Sequence, residues 1–219
     1  MAQSEQAILE ENIPMKLEVP VIGILRGIAG DTLGPLMQAA FAAGLQALEV
    51  TMNTPQAEAM IAAQRDRVPA GKYLGMGTVC NSMEAEKAFR AGAMFLVTPN
   101  VDPAVIAFGR NKDIPVIAGA LTPTEVYRAR EAGAPMVKVF PCRSLGGPLY
   151  IRELRGPFAT IPLVAVGGVT MENCRDYLQA GAAALGVGIS LFGEEAIKAK
   201  DWEAVRTNVE HFIRCCTSG

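Results

Sequence analysis

Two ionisable residues of this chain stand inside largely apolar runs: Lys138 in PMVKVF (135–140) and Glu49 in LQALEVT (45–51). Removing a charge from water is costly, and lysine is among the residues least often found inside. A plain structural role, with the charge solvated at a strand end or paired with a neighbour, accounts for many such residues. It accounts poorly for two opposite charges each set within an apolar strand, because a buried pair seldom stabilises a fold relative to an apolar replacement. Chemistry explains them better. A lysine in apolar surroundings has its ammonium form disfavoured, so more free amine is available near neutral pH. Free amine attacks carbonyls, and the iminium so formed withdraws electrons from the neighbouring carbon. A nearby carboxylate can then shuttle protons while a carbon–carbon bond breaks or forms. Lys138 and Glu49 are the minimum set for Schiff-base chemistry of the class I aldolase kind.

The competing route, a divalent metal polarising an enolate, needs His or carboxylate ligands at strand ends. The single His211 falls in a C-terminal helical stretch, and Asp31, Asp102 and Asp176 fall at or within helices, so no metal or other cofactor is expected. The five cysteines show no CxxC pair and give neither a disulfide framework nor a zinc site. Cys142, four residues after Lys138, reads as a small buried side chain because no histidine lies nearby in sequence to activate it. A net charge of −2 with interspersed signs gives no basic footprint for nucleic acid. No apolar stretch reaches the roughly 20 residues of a membrane span. The N-terminus MAQSEQAILEENIPMK carries no basic leader. A cytoplasmic protein is expected, binding a small molecule rather than nucleic acid or membrane.

The elements that must position the pair alternate along the whole chain. Short apolar runs at 19–25, 45–51, 73–78, 93–98, 115–120, 135–140, 162–167 and 183–188 predict eight strands. Amphipathic segments opened by Asp, Asn or Thr and often closed by Gly predict helices between them. An A-G helix stop precedes each even strand, at Gly44, Gly92, Gly133 and Gly181, while proline precedes three odd ones, at Pro20, Pro115 and Pro162. Four such double units over the 219 residues predict an α/β fold, a single-domain (βα)8 TIM barrel. An open doubly wound sheet is the alternative, but the GxGxxG turn after its first strand is missing. Residues 1–18 are expected to form an N-terminal extension whose helix closes the bottom of the barrel. Residues 201–216 should form a C-terminal helix with Val205, Val209, Phe212 and Ile213 on its apolar face.

In such a barrel alternate strand residues point inward, and the C-terminal strand ends carry the chemistry. Glu49 and Thr51 share one face of the second strand. Lys138 shares its face with Met136 and Phe140, leaving Val137 and Val139 to the helices. Arg26 ends the first strand and Thr78 the third. Gly167, Gly168, Gly186 and Gly188, at the ends of the last two strands beside the following helix starts, are turn formers or, in this setting, an anion site of exposed N–H groups. Ser144, Gly146 and Gly147 are expected on the same rim.

These motifs resemble a known family. GLQALEVT is similar to the glutamate motif, VKVFP to the Schiff-base lysine motif, and GMGTV and the GG after strand seven to the substrate segments of KDPG and KHG aldolases, which act on 2-keto-3-deoxy-6-phosphogluconate and 4-hydroxy-2-oxoglutarate. The likeness runs from about Val19 to Phe192 in the right order. It implies a homotrimeric, metal-free barrel that cleaves a 2-keto-4-hydroxy acid to pyruvate and an aldehyde. By motif, Lys138 forms the imine and Glu49 handles protons. Thr78 and Pro99 help line the pyruvate end, Arg26 binds the pyruvate carboxylate, and Gly167, Gly168 and Ser190 face the distal phosphate. Thr51, Asn53, Phe140 and Gly188 complete the expected contacts. Two departures stand out: Asn53 replaces an arginine of the common EVTLRT, and Ala165 and Val166 replace the proline and threonine of PTGG. A neutral amide can bond a carboxylate but supplies no charge. The native aldehyde is therefore open at this level, and so are three rival readings. They are an imine-dependent decarboxylase of 2-oxo acids such as oxaloacetate, a non-imine phosphosugar isomerase or epimerase, and a scaffold with a vestigial site.

Overall fold

The structure is a computed structural model that describes residue 15 and residues 17–217. The helix expected before Pro14 lies outside the described residues. Eight parallel strands close into one barrel in chain order. They are β1 Val21–Leu25, β2 Ala47–Thr51, β3 Tyr73–Gly77, β4 Leu96–Val97, β5 Val116–Ala120, β6 Met136–Val139, β7 Leu163–Val166 and β8 Ala184–Val187. Closure comes from β1 pairing with β8, Val21 opposite Leu185, which excludes the open doubly wound alternative. All eight expected strands form, each shorter than its apolar run. The contraction is greatest at 93–98: beyond Val97 a side chain takes over, the Thr98 hydroxyl accepting the Gly119 N–H at 3.0 Å and donating to the Asn100 carbonyl at 2.6 Å.

The connecting helices are α1 Leu33–Ala42, α2 Ala57–Gln64, α3 Ser82–Ala91, α4 Pro103–Asn111, α5 Pro123–Glu131, α6 Pro148–Arg155 and α7 Cys174–Gln179. Helices α8 Glu194–Lys198 and α9 Trp202–Thr217 follow β8. Their starts follow cap chemistry: Asn81 and Asp102 accept backbone N–H groups, and Thr122 and Glu125 bond reciprocally at the start of α5. Thr32, before α1, makes no such bond. The A-G stops share one geometry. Gly44, Gly92, Gly133 and Gly181 have φ of 97°, 95°, 99° and 99°, and the N–H of each following residue reaches back to the last helical turn, as in Ala93 to Ala88 and Ala134 to Ala129. The three prolines lack an N–H, yet each starts a ladder with its carbonyl, Pro20 accepting from Leu185, Pro115 from Leu96 and Pro162 from Val137.

Alternation divides the core in two. Outward strand residues such as Leu48, Val50, Leu74, Met76, Val137 and Val139 pack under the helices. Each such side chain contributes roughly 1.5–3 kcal/mol on burial. Inward residues Ile22, Ala47, Phe95, Ile117, Met136 and Val164 fill the barrel, with Met15 packed among them and Leu17 and Tyr73 beside them at the N-terminal end. The last helix packs on α1 and α7 and buries Val205, Val209 and Phe212, while Ile213 is half-buried and His211 is exposed. No helix among the described residues is long and apolar enough to cross a membrane.

Candidate active site

The period-2 alternation that fills the barrel also aims the two charges. Glu49 lies two residues beyond Ala47 on the inward face of β2, and Lys138 two residues beyond Met136 on that of β6. Their relative exposures are 2% and 6%. Both open on a cavity of about 370 Å³ at the C-terminal mouth, which Arg26 and Phe140 also line. The far wall carries Gly167, Gly168, Gly188 and Ser190. A narrow space below, walled by Ile22, Ile117 and Val164, brings the same carboxylate and amine together again. Gly77 makes room for the acid, since a Cβ there would overlap the Glu49 carboxylate.

Burial acts on the two groups in opposite directions. Desolvation raises the Glu49 carboxyl above the usual carboxylate range, opposed by the positive charges of Lys138 and Arg26. Desolvation lowers the Lys138 ammonium, opposed by Glu49 and reinforced by the like charge of Arg26. No ion pair within 4.0 Å joins them, so the cavity lies between an acid that keeps its proton more readily and an amine that loses its own more readily. The Lys138 Nζ sits 4.9 Å from the centre of the Phe140 ring. Cys142 is buried, its Sγ donating to the Gly147 carbonyl at 3.6 Å, and burial pushes its thiol up to about 11. It is an inert core thiol at neutral pH.

Arg26 reaches across the mouth and donates to the Thr78 hydroxyl at 3.4 Å. Thr78 has φ +56°, a strained conformation for a β-branched residue. Four expected contacts stand off the cavity wall. The Thr51 side chain is fully buried with its hydroxyl 3.0 Å from that of Thr54. Asn53 is exposed on the following loop. Thr78 meets the site through Arg26, and Pro99 packs its backbone into the space beside Gly119. Ser144, Gly146 and Gly147 also stand off that wall. Strand parity could have found Ile24, which shares the inward face of Ile22 and lines the cavity; Val169 and Thr170, past the end of β7, carry no sequence signal of their lining position. Their loop is pinned by Asn173, which accepts the Thr170 N–H at 2.8 Å and donates to the Gly168 carbonyl at 2.9 Å. Among the described residues no three His, Cys, Asp or Glu side chains gather as metal ligands.

A closed parallel barrel with a buried lysine and carboxylate at its C-terminal mouth has the architecture of a Schiff-base barrel enzyme. The comparisons agree. The sequence profile described as KDPG and KHG aldolase matches residues 13–208. The chain is 37% identical over 176 residues to the 2-dehydro-3-deoxy-6-phosphogalactonate aldolase of Escherichia coli strain K12, covering 80% of this chain and 85% of that protein. A solved structure described as native KDPGal superposes with a TM-score of 0.84 at 33% identity, covering 91% of this chain and 95% of that one. The KDPG aldolase of Legionella pneumophila, with pyruvate captured as a covalent carbinolamine, gives 0.81 at 28% identity and covers 88% and 93%. This chain belongs to the KDPG and KHG aldolase family. It is a carbon–carbon lyase of the pyruvate-dependent, class I kind.

Proposed function

We propose that the chain cleaves a 2-keto-3-deoxy-6-phosphohexonate to pyruvate and glyceraldehyde 3-phosphate, with Lys138 as the imine-forming amine and Glu49 as the proton carrier. One observation carries the assignment: the two ionisable groups buried in the barrel interior open on the same cavity. The substrate class follows from the relatives, which are named for phosphorylated 2-keto-3-deoxy acids.

The Lys138 amine adds to the C2 carbonyl, giving a carbinolamine. Glu49, which burial keeps ready to hold a proton, gives that proton to the departing hydroxyl, and water leaves an iminium. The carboxylate then takes the proton of the C4 hydroxyl as the C3–C4 bond breaks. The electron pair moves into the C2–N system as an enamine, and the aldehyde departs. Glu49 gives that proton to C3 to make the methyl group, and water hydrolyses the resulting iminium to pyruvate and the free amine, the proton released returning to Glu49. Arg26, the other cation on the cavity wall, meets the substrate carboxylate.

The distal anion falls to the turn after β7. The carbonyls of Gly167 and Gly168 accept from the Arg143 N–H at 3.0 Å and from Asn173. In a planar trans peptide the N–H points opposite to the carbonyl, so the N–H groups of Gly168 and Val169 point away from those two donors and stay available to an anion; Gly168, Val169 and Ser190 all line the cavity. The family resemblance further supports a homotrimer, the composition a place in the cytoplasm, and the resemblance again a reaction without a metal. Light scattering and assay in EDTA check the first and last of these.

Incubation with pyruvate and borohydride, followed by peptide mass spectrometry, tests the core of the proposal. A reduced pyruvate adduct is expected on Lys138 of the native chain and absent from a folded Lys138→Ala variant. An unlabelled native chain overturns the imine.

A further inference from the structure

We propose that Thr54 is a positioning residue whose hydroxyl holds Arg26 in the orientation that receives the keto acid's carboxylate. The inference rests on the functional reading above. Thr54 sits on the loop between β2 and α2, yet it is only 2% exposed. Its hydroxyl accepts the N–H of Gly27 at 3.0 Å and lies 3.0 Å from the Thr51 hydroxyl. Its own N–H donates to the Thr51 carbonyl at 2.8 Å, and its carbonyl accepts from Ala57 at 3.1 Å. Every polar atom of the residue is therefore engaged. A hydroxyl buried this fully has to be satisfied, and one of its two partners, the backbone N–H it accepts, belongs to the residue directly after Arg26.

Gly27 turns the chain away from β1 with φ +67°, so the direction in which Arg26 leaves the strand depends on where that peptide is fixed. Thr54 fixes it from the backbone side, while Thr78 holds the guanidinium at 3.4 Å. The hydroxyls of Thr51, Thr54 and Thr78 thus tie the C-terminal ends of β1, β2 and β3 around one cation, and none of these three threonines lines the cavity. A guanidinium binds a carboxylate through a planar fork, which makes its affinity sensitive to orientation. Lys138 must give up its charge to react, so the Arg26 fork is the lasting positive charge on the cavity wall.

The test compares two ketones in the borohydride trap: pyruvate, which carries a carboxylate, and hydroxyacetone, which does not. Relative to the native chain, Thr54→Val should raise the pyruvate concentration for half-maximal labelling of Lys138 by about tenfold or more. The value for hydroxyacetone should stay within about twofold, because only the carboxylate uses the fork. Thr54→Ser, which keeps the hydroxyl, should restore the pyruvate value. If Thr54→Val fails to fold by circular dichroism, Thr54→Ala takes its place in the same comparison. Equal shifts for both ketones, or none, overturn the positioning role while leaving the imine in place. Absence of any adduct on the native chain overturns the aldolase reading, and this inference with it.

Discussion

Ala47 and Met136 stand at the N-terminal end of the barrel interior; one inward step further along the same two strands stand Glu49 and Lys138. The lower step is a packed floor of Met15, Ile22, Phe95 and their neighbours. The upper step is an open cavity walled by charge and glycine. Backbone, alternation and burial are alike at both steps, so the difference lies in the side chains and in what they cost. Large apolar residues at the floor gain transfer free energy on folding, whereas the two ionisable groups above them lose hydration that no direct ion pair restores. One end of the barrel is built for stability and the other against it.

The contrast is broken most strongly from the upper side. Glu49→Gln keeps the shape of the acid but cannot carry a proton, so kcat for pyruvate release should fall by about 10²–10⁴. A coupled assay of pyruvate formation measures it, and a change within a few fold would move the proton carrier elsewhere. From the lower side, Met136→Ala should cost about 2–5 kcal/mol in urea denaturation through the lost contacts and the cavity left behind. The variant should still label at Lys138 with pyruvate at 25 °C. Loss of labelling in a folded Met136→Ala protein would mean that floor and mouth are not separable.

The smallest effect has the opposite sign. The double variant Glu49→Gln/Lys138→Met replaces both charges with neutral groups of similar size and should be more stable than the native chain by about 1–4 kcal/mol at pH 7. The sign follows from the two shifts. Glu49 has a raised folded pKa, so its contribution to stability is present below its unfolded value near 4.3 and is lost as pH rises through the folded pKa. Lys138 has a lowered folded pKa, so its contribution is present above its unfolded value near 10.4 and is lost as pH falls through the folded pKa. Between those limits the native chain bears both penalties. The advantage of the double variant should therefore shrink toward pH 4, as Glu49 takes up its proton, and toward pH 10, as Lys138 gives its proton up. Urea melts at pH 4, 7 and 10 check this, and a flat profile would show that neither group is strained by burial.

Much of the barrel was legible because its signals are local. The A-G stops recur as four left-handed helix ends, the prolines mark three strand starts, and a charge at an inward position of an apolar strand needs only its own neighbours to be noticed. Cys142 was likewise read correctly as a buried thiol. Contacts made by loops were less legible. Thr51 shares the face of Glu49, yet its hydroxyl is taken by Thr54, and Asn53, one residue earlier than Thr54, is exposed.

The positions of the strands along the chain, the inward face of each and the two buried ionisable residues were determined by the sequence alone, because an apolar run and its period-2 alternation are local whatever the partner strand. Only the tertiary structure decided that the acid and the amine share a cavity without touching, that Gly77 leaves space for the Glu49 carboxylate, and that the Arg26 guanidinium meets Thr78 while the Gly27 N–H beside it meets Thr54. Those outcomes depend on strand register and on where loops from β1, β2 and β3 meet, and such distances are set by closure of the whole barrel rather than by any one segment of it.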